Sequence, residues 1–286
     1  MLLNRKRDCC SERETKEIIL IFTDLDGTLL DHVSYTWDKA KEALHQCKRR
    51  HIPVIMVSSK TGAELGVLSR DIGLPYPFIS ENGGGVFFPR SYLAKAPPGT
   101  ILAEKWLKWS LGTPYDILVK VLHEIRDELG WPIRGFSDMS AEEISHLTGL
   151  DSEGARLASS REYDEPFVVP EQNKSDMDLI HVAAKKRGLM ITGGGRFHHL
   201  HGKNDKGEAV KKLVSWYKES FDRVYTIALG DSQNDFSMLK QADQPVLVLS
   251  QQHFPGIEEQ IPGLIITHRP GPEGWNSTVL DLLNKN

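Results

Sequence analysis

Several things are scarce in this sequence at once. There are three cysteines in 286 residues, two of them adjacent at Cys9 and Cys10 and the third at Cys47. That makes neither a disulfide framework nor a zinc-ligand spacing, and it suits a reducing, cytoplasmic setting. Positive charge is not in excess: 35 Lys and Arg stand against 39 Asp and Glu, a formal net charge of -4. The broad attraction to phosphate backbones that nucleic-acid binders use is therefore missing, and no nucleic-acid partner is expected. No stretch approaches the roughly 20 apolar residues needed to cross a bilayer, so no membrane partner is expected either. The polar, basic opening 1–16 has no apolar segment behind its charges, which excludes a signal peptide or anchor; 1–17 is expected to be a disordered tail. There is no internal repeat and no low-complexity tract. The remainder, 40% hydrophobic and 26% charged, has the composition of a globular protein with a sizeable core.

Apolar runs of strand length alternate with helical patterns at both ends of the chain. The run 18–22 is rich in β-favouring residues and stops at Thr23-Asp24-Leu25-Asp26-Gly27, as a strand buried on both faces does. A helical pattern over 36–50 carries Ala40, Ala43, Leu44 and Cys47 at three- and four-residue spacing, and a strand comes next at 52–57. A third unit has a helix at 62–72 closed by Gly73, then Phe78 and Ile79 before the turn Ser80-Glu81-Asn82-Gly83. The alternation resumes with a helix at 206–219, a strand at 224–229, a helix at 234–241 and strands at 246–249 and 264–266. Alternation of this kind predicts a parallel sheet. Between the two halves the texture changes to helices at 115–129, 141–147 and 175–187 mixed with isolated strands at 167–169 and 189–192, flanked by Pro89, Pro97, Pro98 and Gly99 on one side and Gly193, Gly194 and Gly195 on the other. The expectation is an α/β protein: a Rossmann-like parallel-sheet core from 18–89 and 203–286, with an inserted α+β cap domain at 90–202.

Four polar clusters stand at the end of a strand or open a helix: Asp24 with Asp26, Ser58 with Ser59 and Lys60, Lys206, and Asp231 with Asn234 and Asp235. Parallel strands deliver the residues after their carboxyl ends to one edge, where open α/β sheets bind ligands, so four distant segments are expected to form one site. Three carboxylates there would repel one another without a cation, and hard oxygen donors suit Mg²⁺. A metal, the Lys206 ammonium and the Ser58 hydroxyl together could hold the oxygens of a transferring phosphoryl group. Asp24 is then the nucleophile that forms an aspartyl phosphate, and Asp26, two residues on, carries the proton to the leaving group and takes one from the hydrolytic water. Gly27 permits the tight turn between them and the metal edge.

Asp-Leu-Asp-Gly-Thr-Leu-Leu at 24–30 and Gly-Asp-Ser-Gln-Asn-Asp at 230–235 resemble the first and last motifs of the haloacid dehalogenase superfamily. The resemblance extends to Ser58 as the second-motif hydroxyl and Lys206 as the third-motif lysine. It implies metal binding by Asp24, the Asp26 carbonyl and Asp231, with Asp235 as a supporting carboxylate beside the metal. Ser-Ser-Lys-Thr at 58–61, Glu-Asn-Gly-Gly at 81–84, Glu-Pro-Phe at 165–167, Gly-Gly-Arg-Phe-His-His-Leu at 194–200 and His-Arg-Pro-Gly-Pro-Glu-Gly-Trp-Asn at 268–276 are similar to the mannosyl-3-phosphoglycerate phosphatases of that superfamily. This implies a Mg²⁺-dependent phosphatase acting on a small, anionic, phosphorylated sugar-glycerate. Lys60, Arg196 and His198 are expected to meet its negative groups across the cleft, with Asn82, Gly83 and Asn234 as further contacts.

Other readings are weaker. His198, His199 and His201 could suggest a transition-metal site, yet successive strand residues point to opposite faces and cannot share one ion. The glycine runs at 83–85 and 193–195 lack the spacing of a nucleotide fingerprint and read as turns or hinges. Trp106 and Trp109 are assigned to packing, not to a partner surface. A glucosyl-3-phosphoglycerate or broad sugar-phosphate phosphatase is the nearest rival. An inactive sensor of phosphorylated metabolites is disfavoured by the intact Asp24, Asp26, Lys206 and Asp231.

Overall fold

The computed structural model describes residues 15–103, 105–170, 173, 176–194 and 197–285. Residues 1–14 of the expected tail, and Arg196, lie outside the described residues. The end of that tail is part of the fold: Lys16 donates its backbone N–H to Asp222 at 2.9 Å and Glu17 begins the first strand.

The chain runs through β1 (Glu17–Thr23), α1 (Lys41–Arg49), β2 (Val54–Met56), α2 (Gly62–Ile72), β3 (Phe78–Ser80), β4 (Gly85–Pro89), β5 (Ile101–Ala103) and β6 (Trp106–Ser110). A second unit comprises α3 (Tyr115–Leu129), β7 (Arg134–Gly135), α4 (Ala141–Thr148), α5 (Ser152–Ala158), β8 (Asp164–Val168), α6 (Met177–Lys186), β9 (Met190–Gly194) and β10 (Phe197–His201). The return is α7 (Lys206–Lys218), β11 (Arg223–Gly230), α8 (Phe236–Leu239), β12 (Gln244–Leu249), α9 (Ile257–Gln260), β13 (Ile265–Pro270) and α10 (Gly271–Lys285).

The first and third segments share a parallel sheet of order β13-β12-β11-β1-β2, with β1 at the centre of the residues that matter. Leu20, Ile21 and Phe22 are each fully buried because both faces are covered. Ala43 and Cys47 of α1 and Val279 and Leu282 of α10 pack one face, while Val210 and Leu213 of α7 and Met238 of α8 pack the other. This is why a continuous apolar run, rather than an alternating one, codes for β1. Local signals set the helix ends: in α2, Thr61 and Glu64 form a reciprocal capping box and Gly73 closes the helix at φ 78°.

The structure corrects two expectations. The strand at 78–80 does not continue the parallel sheet. It touches it through a single parallel bridge, Val57 to Ile79, and otherwise leads an antiparallel sheet of order β3-β4-β6-β5. The cap boundary expected at 90 falls inside that sheet, since β6 pairs with β4 from Gly85 opposite Ser110 to Pro89 opposite Trp106. Ladder hydrogen bonds thus tie 101–103 and 106–110 to the core layer, and the chain crosses into the cap only at 111–114.

The cap is a four-stranded antiparallel sheet of order β7-β8-β10-β9. Leu118, Leu122 and Ile125 of α3 and Ile180, Ala183 and Ala184 of α6 pack with Phe167 and Leu200 of the sheet to close its own core. Core and cap meet at a turn in which three consecutive residues, Glu81, Asn82 and Gly83, hold φ of 48°, 52° and 98°. Only the last is a glycine, so the turn stores backbone strain. Both chain crossings rest on it: Leu111 and Gly112 donate N–H to the Gly84 carbonyl at 2.9 and 2.8 Å, and a Cβ on Gly83 would lie 2.2 Å from the Asp205 carbonyl oxygen.

Candidate active site

Asp24 comes directly after β1, and its N–H donates to the Leu229 carbonyl of β11 at 2.9 Å. Lys206, first residue of α7 and 1% exposed, donates from Nζ to Asp24 Oδ1 at 2.6 Å and to Asp235 Oδ1 at 2.6 Å. One oxygen of Asp24, Oδ1, is thereby held. Burial pushes the Asp24 carboxyl well above the usual carboxylate range, against the pull of Lys206 and with Asp235 and Asp231 adding to the rise. Burial also opposes the Lys206 charge, but Asp235 and Asp24 more than offset it, so the ammonium is held above its usual range.

Asp231 comes directly after β11 and is pushed up to about 6 by burial and by Asp235. Its Oδ1 accepts from Thr28 Oγ1 at 3.2 Å. Its Oδ2 lies 2.8 Å from where a Cβ on Gly27 would stand, so Gly27, at φ 82°, is required both for the turn and for room beside that oxygen. Asp24, Asp231 and Asp235 bring carboxylate oxygens within 4.8 Å of one another. The three carboxylates outnumber the one ammonium of Lys206, and hard oxygen donors gathered this closely are the kind a divalent cation takes. The residues therefore fit a divalent metal. Within the set Asp235 has little to give, because Oδ1 is taken by Lys206 and Oδ2 by the N–H groups of Asp231 and Ser232 at 3.1 and 3.0 Å.

Ser58 is 1% exposed, just past the point where Val57 N–H joins the Thr23 carbonyl at 2.8 Å, which sets it beside the end of β1. Lys60 donates its N–H to Ser58 Oγ at 3.2 Å and sends Nζ to Asp26 Oδ2 at 2.8 Å. Asp26 Oδ1 is shielded and takes no hydrogen bond among the described residues, as is Asn82 Oδ1. Asp24, Asp26, Ser58, Lys60, Lys206, Asp231 and Asp235 thus converge on one sheet edge. Asn82 joins through its N–H, which donates to the Ser58 carbonyl at 3.0 Å.

The other expected contacts are placed differently. Gly83 packs on Asp205 and Ala209 behind the site, and Asn234 is exposed, accepting from Ser232 Oγ at 2.6 Å. His198 lies over the Phe167 ring, 5.6 Å between centroids, and so belongs to the face of β10 that covers the cap's own core. The neighbouring His199 takes the opposite face. It pairs through Nδ1 with Asp164 Oδ2 at 2.8 Å and lines a cavity of about 140 Å³ with Lys60, Arg161, Phe136 and Phe197. Alternation could have found this, since Leu200 is fully buried in the cap core and position 198 must share its side.

Arg161, which the sequence ranks below Lys60 and Arg196 as a substrate contact, also lines that cavity. Its Nη1 donates to the Ser59 carbonyl at 3.0 Å and to Asp164 at 3.3 Å, bridging the cap and the loop after β2. Glu81 reaches the other way, accepting N–H from Tyr163 at 2.7 Å and Glu162 at 3.1 Å; burial pushes its carboxyl up to about 8 while Arg161 pulls it down. No helix among the described residues is long and apolar enough to cross a membrane.

Comparison with known proteins agrees with this geometry. The family model for haloacid dehalogenase-like hydrolases matches residues 21–98 and 172–252. A glucosyl-3-phosphoglycerate/mannosyl-3-phosphoglycerate phosphatase of Methanococcoides burtonii is 42% identical over 275 residues, covering 93% of this chain and 98% of its own. A mannosyl-3-phosphoglycerate phosphatase of Pyrococcus furiosus is 33% identical over 236 residues, covering 82% and 93%. Among solved structures, a haloacid dehalogenase-like hydrolase from Bacteroides thetaiotaomicron superposes with a TM-score of 0.68 at 15% identity over 93% of this chain and 99% of its own, a likeness of fold. With its motifs gathered at the edge of a parallel sheet and a cap inserted between them, the chain belongs to the haloacid dehalogenase-like hydrolases, as one of that family's phosphatases.

Proposed function

We propose that this phosphatase hydrolyses glycosyl-3-phosphoglycerates, mannosyl-3-phosphoglycerate first among them, to the glycosylglycerate and phosphate in the cytoplasm. The observation that carries the chemistry is the setting of Asp24, directly after β1 with one oxygen held by Lys206 and the carboxylates of Asp231 and Asp235 gathered beside it. Likeness to the Methanococcoides burtonii phosphatase over 93% of the chain, cap included, supports the substrate class. That relative's name pairs the glucosyl with the mannosyl compound, so the glucosyl ester is the second candidate.

In this reading Asp24 Oδ2 attacks phosphorus, the bond from phosphorus to the glycerate oxygen breaks, and Asp26 gives that oxygen its proton. Water then attacks the phosphoaspartate as Asp26 takes its proton, and phosphate leaves Asp24 free. The shielded Oδ1 of Asp26 suits it to move the proton while Lys60 holds Oδ2. Lys206 fixes the nucleophile and offsets phosphoryl charge, and the Ser58 hydroxyl donates to a phosphoryl oxygen. Mg²⁺, held by Asp24, the Asp26 carbonyl and Asp231, would supply positive charge to the phosphoryl oxygens and relieve the carboxylate crowding. Lys60, Arg161 and His199 line the space beyond Asp26, on the leaving-group side.

Phosphate release from mannosyl-3-phosphoglycerate, glucosyl-3-phosphoglycerate, mannose 6-phosphate and 3-phosphoglycerate, with Mg²⁺ and with EDTA, tests the proposal. Metal-dependent preference for the glycosyl-phosphoglycerates is the expected result. Equal turnover of all four would replace it with a generalist sugar phosphatase.

A further inference from the structure

The segment 267–276 contains none of the residues assigned above to the phosphoryl oxygens or the proton, yet it is built to deliver one side chain. A Cβ on Gly274 would lie 1.9 Å from the Arg269 carbonyl oxygen and 2.7 Å from Thr267 Oγ1, so only glycine lets the first turn of α10 press onto the end of β13. Gly271 makes the bend at φ 55°, and Asn276 Oδ1 pins the helix by accepting the Ala43 N–H at 2.8 Å. The product of this tight packing is Trp275, fully buried among core residues that include Ile21, Leu25 and Val246.

Trp275 Nε1 lies 3.0 Å from Thr23 Oγ1, and Thr23 Oγ1 lies 2.7 Å from the Asp24 carbonyl oxygen. Donor chemistry fixes the direction of this chain. An indole nitrogen only donates, so the Thr23 oxygen accepts from it, and the single hydroxyl hydrogen goes to the Asp24 carbonyl. Thr23 is itself fully buried, so no water competes. Thr23 is also β-branched and holds one rotamer more firmly than serine would.

We infer that Trp275, acting through Thr23, holds the peptide that carries Asp24 in its attacking orientation, which makes both of them positioning residues for phosphoryl transfer. This rests on Asp24 being the nucleophile. The Asp24 N–H is fixed by Leu229, the side-chain Oδ1 by Lys206 and the carbonyl by Thr23, so the hydroxyl adds a third point at which the residue is held. An aspartate so held meets phosphorus at the distance and angle of reaction without a search, and small misplacements of a nucleophile are costly in rate.

The test is a double-mutant cycle in the full-length, Mg²⁺-loaded enzyme on mannosyl-3-phosphoglycerate and on p-nitrophenyl phosphate. Trp275→Phe and Thr23→Val should each lower kcat about five- to tenfold on both substrates, the loss of roughly one hydrogen bond's worth of orientation, with KM within about twofold. The double variant should be no slower than the slower single variant, and Thr23→Ser should recover most of the rate. Replacing Trp275 by its benzothienyl analogue, which keeps the shape and removes the N–H, should reproduce Trp275→Phe and serves in its place if the phenylalanine variant does not fold. Multiplicative losses in the double variant, losses carried by KM, or unchanged kcat would overturn the inference. Asp24→Asn is run alongside: turnover surviving in that variant would remove the nucleophile reading and this inference with it, whereas a dead Asp24→Asn beside a multiplicative cycle removes the inference alone.

Discussion

The two polar layers that face each other across the cleft are held in different ways. On the core side each charged group is fixed from several elements at once: Lys206 of α7 binds residues just past β1 and β11, and Asp235 is bound by Lys206 and by two backbone N–H groups. On the cap side Asp164 binds both His199 and Arg161, and the cap reaches the core through side-chain bonds: Arg161 to the Ser59 carbonyl, Thr61 to the Leu157 carbonyl, Lys108 to Glu162, Ser110 to Tyr163, and Glu81 to the N–H groups of 162–163. Buried charges locked among several elements suit a fixed reaction, and side-chain contacts between two units suit a surface that recognises a substrate and releases a product. Changes in the core should therefore strike every substrate alike, and changes in the cap should separate one substrate from another.

The largest effect is expected at Asp24. Asp24→Asn removes the proposed nucleophile and should lower kcat by about 10⁴-fold or more on mannosyl-3-phosphoglycerate and on p-nitrophenyl phosphate together, measured by phosphate release. Residual turnover confined to one substrate would break the comparison. Lys206→Met should cost both activity and fold, because it leaves Asp24 and Asp235 buried without their cation; a loss of roughly 3–5 kcal/mol by denaturant melting is expected for such a pair. Added Mg²⁺ should regain part of that stability.

Arg161→Met sharpens the cap half of the contrast. It should lower kcat/KM for mannosyl-3-phosphoglycerate about 10- to 100-fold by unfastening the cap from the Ser59 carbonyl, and lower it much less for the small aryl phosphate. The smallest effect is one of pH. Without metal, the Asp231 carboxyl titrates near 6 in the folded chain and Asp24 is raised as well, above their unfolded values. The folded state then binds more protons than the unfolded state across this window, so metal-free stability falls as pH rises from about 4 to about 6. A metal needs those carboxylates deprotonated, so the gain in Tm from Mg²⁺ over EDTA should grow from pH 5 to pH 7. A gain that shrinks over this range would place the metal elsewhere.

The core is nearly all legible in the sequence because its signals are local or strictly ordered. The α2 boundaries come from the Thr61–Glu64 box and Gly73, and the grouping of Asp24, Lys206 and Asp231 comes from parallel strands ending at one edge. The features that escape depend on partners that no local pattern names. The 78–80 run is apolar enough for either sheet, and only its antiparallel pairing with Gly85, Val86 and Phe87 assigns it. Residues 271–285 begin Gly-Pro-Glu-Gly, which hides a 15-residue helix behind turn formers. Preferring His198 to His199 neglects period-two alternation, since Leu200 marks the buried side.

The strained turn at 81–84 has a consequence for how this protein can vary. One short loop takes the two entrances to the cap, the carboxylate that 162–163 lean on, and the N–H that fixes the Ser58 carbonyl. Elsewhere a surface loop can gain or lose a residue and disturb only itself. Here a single insertion would shift the cap's two attachments and Ser58 out of step with one another, so this loop should tolerate a change of length far less than the cap's own surface loops do.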